Sequence, residues 1–243
     1  MKITLLCLIL SVFTFIQFQS FGQPNLDDIN LERIQQRKIR KYIECQIEEG
    51  KHQFGEIHPS WNSGQDLSSY KKNEMTFFLK GNFLDIWQGY VSANPSKSWN
   101  ARKISFGLLL RKFPGNIYYN HDPIMGVDTG QVYFLNLNLL LGIFNLPVAF
   151  EMITVDTEQR IIEFSYIEGN KSIGVQQVKF MDIGQERTEI IHTSYFKSDS
   201  QFRDKWIYPF FHKIIVNDFH RNMRRLLDLK KQKENKMEDP LAT

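Results

Sequence analysis

The sequence predicts an α+β fold in which a curved antiparallel sheet of seven strands wraps one long C-terminal helix, with an extra helix at the N-terminus. Three observations carry this. Residues 148–197 hold four short segments rich in β-branched and aromatic side chains, separated by polar turns such as Asp156-Thr157-Glu158-Gln159 and Gly169-Asn170. That is the pattern of strands joined in hairpins, and such short connections force antiparallel neighbours. Next, the segments alternate, yet neither face is wholly polar. In 160–168, Ile162, Phe164 and Tyr166 share one face, while Glu163 and Ser165 share the other with Ile161 and Ile167. This predicts an apolar concave side and a partly covered back. Finally, Tyr208, His212, Ile215, Phe219, Met223 and Leu226 fall in one narrow stripe at about 100° per residue, with Val216 and Asn222 at its edges.

The chain justifies these elements in order. Residues 1–22 have the form of a secretory signal peptide: Lys2, an apolar run over 3–18, and Ser20-Phe21-Gly22 as a small-x-small cleavage site. The expected location is therefore exported, periplasmic or extracellular. The alternative, an uncleaved anchor, meets a run short for a span and broken by Thr14 and Gln17. Cleavage removes Cys7 and leaves Cys45, so no internal disulfide is expected. Cys45 itself reads as a packed helix residue.

Residues 25–49 read as a helix whose Ile29, Ile39, Ile43 and Ile47 dock on the domain. Its Glu32, Glu44, Glu48 and Glu49 argue against a basic membrane-surface helix. Residues 50–72 are polar and rich in Gly, Ser and Asn, and read as a linker. A strand over 74–80 is broken by Gly81-Asn82, and 83–91 has helical spacing limited by Pro95. Strands follow over 102–113 and 131–141, separated by a long loop, 114–130, with Tyr118, Tyr119, His121, Asp122 and Met125. The last four strands are 148–155, 160–168, 174–182 and 187–197. Ser198-Asp199-Ser200 then caps a helix that meets Pro209, giving either a separate first turn over 202–208 or a kink. The charged stretch 230–243 reads as a disordered tail. The expected organisation is a leader (1–22), an N-terminal helix and linker (23–73), one folded domain (74–229) and the tail.

This layout resembles the helix-grip fold of the START-like superfamily, the polyketide cyclase and lipid-transport group. The resemblance covers 74–229. It is carried by the passage Phe77-Phe78-Leu79-Lys80-Gly81-Asn82-Phe83-Leu84-Asp85-Ile86-Trp87, by Trp99-Asn100, and by the closing helix 208–229. The passage 150–203 also looks like an uncharacterised bacterial branch of that superfamily. The resemblance implies a cavity between sheet and final helix, mostly apolar with a few placed polar groups. The leader, the N-terminal helix and the long 114–130 loop depart from the pattern.

Within the stripe, His212 is the polar residue that must find a partner or face a cavity. It reads either as a ligand-orienting hydrogen bonder or general base beside Tyr208 and Asn222, or as a core histidine satisfied by a carbonyl, Glu163 or His192. His192, with Thr188 and Ser194, forms a polar row that is either internal or an exposed edge. Asp218 and His220 flank the stripe and are expected in solvent, and His121-Asp122 reads as a turn pair. The expected ligand-binding set is Tyr208, His212, Ile215, Phe219, Met223, Phe164, Tyr166 and His192.

No catalytic residue, metal ligand or cofactor is assigned. The chain lacks Gly-x-Ser-x-Gly, His-Glu-x-x-His and the phosphate-binding glycine motifs, and Ser68-x-x-Lys71 stands without its partner motifs. A net charge of +3 over 243 residues gives no reason to expect nucleic acid. The expected function is an exported binding protein for a small apolar or amphipathic ligand. The alternatives are an interaction module with a solid core, or a cyclase- or hydrolase-like enzyme using His212 and Tyr208. Membrane contact stays open, and no protein partner is specified.

Overall fold

The structure, a computed structural model, describes residues 25–139 and 142–238. The expected signal peptide lies outside the described residues. Eight strands form one antiparallel sheet: β1 (Lys71–Lys80), β2 (Ile104–Arg111), β3 (Asn116–Tyr119), β4 (Gln131–Leu139), β5 (Phe144–Asp156), β6 (Ile161–Tyr166), β7 (Ser172–Asp182) and β8 (Arg187–Ser198). Their order across the sheet is β1-β8-β7-β6-β5-β4-β2-β3. Consecutive strands from β4 to β8 pair as hairpins, and β1 closes onto β8. The helices are α1 (Arg37–Glu48), α2 (Phe83–Ser92), the short α3 (Pro95–Ser98) and α4 (Tyr208–Glu238). This is the helix-grip arrangement, with α4 lying against the concave face.

The strand count is corrected from seven to eight. The segment expected as one long loop contains β3, whose Tyr119 pairs with Leu108 and is buried. The turn at Pro114-Gly115 folds the chain straight back onto β2, so the Tyr118-Tyr119 pair belongs to a strand and not to a loop.

Two bulges set which side chains face inward. Between Phe106 and Leu108 the register with β4 shifts, so Ile104, Phe106 and Leu109 face α4 while Leu108 and Leu110 face the back. A second shift between Met152 and Thr154 does the same in β5. At the first bulge, Ile39 of α1 lies over Gly107; a Cβ there would stand 2.3 Å from Ile39 Cδ1.

The convex face is covered by the N-terminal region. The expected helix over 25–49 is only Arg37–Glu48; before it the chain makes two single turns, Leu26–Asp28 and Leu31–Arg33. Each turn ends in an extended residue, Ile29 and Ile34, whose side chain enters the core. A continuous helix could not bury both along with Ile39 and Ile43. The expected linker is likewise anchored. Phe54, Ile57 and Trp61 are buried, Lys112 Nζ donates to Ile57 O (2.6 Å) and Trp61 N to Ser165 Oγ (3.0 Å).

The entry to α4 resolves the Pro209 ambiguity in favour of a wide turn. Arg203–Ile207 forms one π-helical turn before the α-helix begins. Proline has no N–H to give to the preceding turn, so the backbone widens there. The helix then continues to Glu238, well into the stretch expected as a disordered tail.

Candidate ligand cavity

Between sheet and α4 lies a cavity of about 740 Å³. Its walls are Leu135, Leu137, Leu146, Val148, Phe150 and Phe164 from the sheet, and Ile207, Phe211, Ile215 and Phe219 from the helix side. At the other end of the helix the same space is filled. Trp99 stacked on Phe219 (4.2 Å between centroids) and Tyr133 on Phe150 (5.0 Å) close the cavity off, and beyond them Trp87 and Tyr90 meet Phe180 edge-on. Gly89 lets α2 approach α4 closely there: a Cβ would lie 2.0 Å from Leu227 Cδ2. The open end arises in the sheet itself. β5 pairs with β6 only from Phe150 onward, so residues 144–148 run past the end of β6. The mouth there is bordered by the 169–172 turn and by Tyr42 and Cys45 of α1.

Polar groups meet on the inner wall in one chain. Gln176 of β7 is its hub. Gln176 Oε1 lies 2.8 Å from His192 Nε2 and 3.0 Å from His212 Nε2. With that oxygen facing both imidazoles, each must donate from Nε2, which makes each Nδ1 an acceptor. His212 Nδ1 then accepts from Asn73 Nδ2 (3.1 Å), and His192 Nδ1 from His220 Nε2 (3.0 Å). His220 Nδ1 in turn accepts from the Tyr90 hydroxyl (2.9 Å). On the other side, Gln176 Nε2 donates to the Tyr166 hydroxyl (2.8 Å). That hydroxyl lies 2.8 Å from Tyr208 Oη, which is 2.7 Å from Ser194 Oγ. All three imidazoles are neutral with both nitrogens engaged.

Burial accounts for that neutrality. It lowers His212 to about 4 and His220 to about 3, and it holds His192 well below the usual histidine range, helped by the two neighbouring imidazoles. The phenols are pushed the other way. Burial raises Tyr166 to about 12 and Tyr208 well above its ordinary value. Neither phenol is therefore an acid near neutral pH.

Of the expected site residues, Tyr208, His212, Ile215, Phe219, Phe164, Tyr166 and His192 all line the cavity. Met223 does not; it is buried at the filled end. Asn222 is turned away too, donating to Lys97 O and Ser98 O (both 2.8 Å) and so pinning α4 to α3. His192 is internal, which removes the exposed-edge reading: β1 covers β8 on its outer side. His212 is satisfied by Gln176 and Asn73 in place of Glu163 or a carbonyl.

The expectation of solvated flanks is also corrected. Asp218 and His220 sit about 200° apart on the helix, yet both are buried. Asp218 accepts from Lys103 N (2.5 Å), and His220 stacks on Phe77 (4.1 Å) besides its bonds to Tyr90 and His192. α2 and the sheet cover the helix on the His220 side, and the chain leading into β2 covers it on the Asp218 side. His121-Asp122 is a turn pair, with Asp122 accepting from Tyr119 N (2.9 Å) and Arg33 (2.6 Å).

Gln176, Asn73, Tyr90 and Trp99 were not among the expected site residues. Gln176 alternates with Gly174, Val178 and Phe180, and Asn73 with Met75, Phe77 and Leu79. A polar residue in an apolar register was the signal in both, the same one that marks His212. Among the described residues, no group of three His, Cys, Asp or Glu side chains is placed to hold a metal ion.

No family model and no curated protein matches the chain. Solved structures do. A major latex-like protein from Panax ginseng is 16% identical, with a TM-score of 0.48 over 64% of this chain and 96% of that one. Norcoclaurine synthase from Thalictrum flavum is 15% identical (TM-score 0.46, 68% and 97% covered). A protein from Thermus thermophilus is 8% identical (TM-score 0.49, 66% and 99% covered). The chain's own strand order and closing helix define it as a helix-grip domain, the architecture its sequence resembles.

Proposed function

We propose that this chain is an exported protein that holds a small apolar or amphipathic molecule between its sheet and α4. One observation carries the reading: an apolar space of about 740 Å³ whose polar wall atoms are already bonded to one another. A cavity of that size suits a small molecule, and its lining suits one that is largely hydrocarbon. The Tyr166 and Tyr208 hydroxyls and the Gln176 amide are the groups on which a polar end of the ligand would register. Acid–base catalysis by His212 and Tyr208 has less support. A general base needs a free nitrogen within reach of the substrate proton, and both nitrogens of His212 are taken. A solid-core interaction module has no support at this end of the helix.

The test is native against denatured mass of the mature protein, with saturable uptake of a polarity-sensitive apolar dye. Excess mass or uptake is expected, and both should fall about tenfold or more, ~1.4 kcal/mol or above, in Ile215→Trp, whose ring occupies the space. Bare mass together with no saturable uptake would refute the reading.

A further inference from the structure

The cavity mouth carries a feature that ligand binding does not require. Phe202, Trp206 and Phe210 recur every fourth residue at the start of the closing helix and are 65%, 60% and 59% exposed. Opposite them across the opening, the β4–β5 turn presents Ile143 and Phe144, 86% and 51% exposed. The second group meets the cavity directly, and the first lies outside it, behind its wall. Phe144 lines it, and Phe210 packs edge-on, 5.2 Å between centroids, on Phe211, which lines it too. Large apolar side chains clustered in solvent mark a contact surface.

The unpaired charges around this cluster are positive. Lys38, Lys41 and Lys171 stand on the rim, and Lys205 and Lys213 flank the aromatic stripe. Among the described residues none of the five has a carboxylate partner. The rim's Glu49 is engaged by Lys51 (3.6 Å), and Arg203 by Asp199 (2.6 Å). Protruding rings interleaved with lysine are what an anionic bilayer surface accepts: rings enter the headgroup layer while ammonium groups stay at the phosphates. A protein partner would need matching pockets for side chains that stand out from two separate elements. No helix among the described residues is long and apolar enough to cross a membrane.

The geometry points to a membrane-docking face: the cavity mouth seats on an anionic bilayer through Trp206, Phe210 and Phe202 on one side and Ile143 and Phe144 on the other. This holds whether or not the cavity is loaded, so it can fail or stand independently of the ligand-binding reading.

Trp206 supplies its own reporter, because Trp61, Trp87 and Trp99 are only 6%, 3% and 7% exposed. The mature chain is mixed with vesicles of phosphatidylcholine alone, or of phosphatidylcholine with phosphatidylglycerol. Co-sedimentation with the anionic vesicles is expected, with a blue shift of tryptophan emission and weakening by salt. The double variant Trp206→Ser/Phe210→Ser should lose about tenfold or more in vesicle partitioning while keeping its melting temperature and dye uptake. Lys38→Glu/Lys171→Glu should lose the preference for anionic vesicles. No association with anionic vesicles, or association unchanged in the aromatic double variant, would overturn the proposal. So would a dimer in vesicle-free solution that the same two serines abolish, because a second copy would then be what covers the stripe.

Discussion

One sheet is covered on both faces here, and the two coverings differ. On the convex face the partner is a string of short pieces: two single turns, α1 and the 54–61 segment. Such a string can follow curvature, and it sets Leu26, Ile34, Ile39, Ile43, Phe54 and Ile57 against Leu108, Phe134 and Ala149 with almost no exposure. On the concave face the partner is one rod. A rod laid in a trough touches it along a line and leaves room beside it. At the C-terminal end α2 and α3 fill that room with Trp87, Tyr90 and Trp99, and at the other end nothing does. The lining of the open end, Leu135, Leu137 and Phe150 among others, is as hydrophobic as any core. The cavity is therefore a consequence of shape and not of missing apolar side chains.

The sharpest way to break the contrast is to damage each face separately. Ile43→Ala on the convex face leaves a hole in a filled layer and should cost about 2–5 kcal/mol of stability, read by urea unfolding. Dye uptake per folded molecule should stay the same; a parallel loss of uptake would show that the two faces are not independent. Gln176→Leu on the concave face strands the Nε2–H donors of His192 and His212. At roughly 1–3 kcal/mol for each of the two unsatisfied donors, it should cost about as much as the convex deletion, and it should change uptake as well. Stability within about 0.5 kcal/mol of the parent, well inside that range, would mean the imidazoles find other partners, and the hub role of Gln176 would fall.

How much of this was legible depends on what periodicity reports. It reports which residues share a side, so the strands and the stripe from Tyr208 to Leu226 were readable, as was the oddity of His212. It does not report how far a partner reaches around an element. His220 and Asp218 looked like solvent-facing flanks because the stripe is narrow, and they are buried because α2 and the sheet cover one flank of the helix and the chain leading into β2 covers the other. Met223 lies on the stripe and still misses the cavity, because nothing in a stripe tells the filled end from the open one. The N-terminal covering was half legible. Ile39 and Ile43 share a helical face, whereas Ile29 and Ile34 are buried from extended backbone and belong to no period. Gln176 was readable in principle, since it interrupts an apolar register just as His212 does.

Acid should act on one face more than the other, and the sign follows from the direction of the shifts. His212 and His220 are held at about 4 and about 3 in the folded chain, against 6.5 when free. A depressed folded value means that the unfolded chain takes up the proton first. The contribution is complete above pH 6.5 and is lost as pH falls from there toward 4, by about 1.4 kcal/mol per pH unit for each such histidine. On the convex side Glu151, raised by burial despite its bond to Lys112 (2.6 Å), works in the opposite sense, because the folded chain then binds the proton more readily. Urea unfolding at pH 7.5, 6 and 5 should therefore show a net fall. In His212→Gln the amide can still donate toward Gln176 but no longer titrates, so its curve should be shallower by about one proton's slope. Ile43→Ala should displace the whole curve and leave its slope unchanged. Parallel curves for the parent and His212→Gln would mean that this imidazole accepts its proton inside the folded protein. The open end of the cavity would then be wet enough to solvate a charge, and the hydrocarbon character assigned to its ligand would have to be given up.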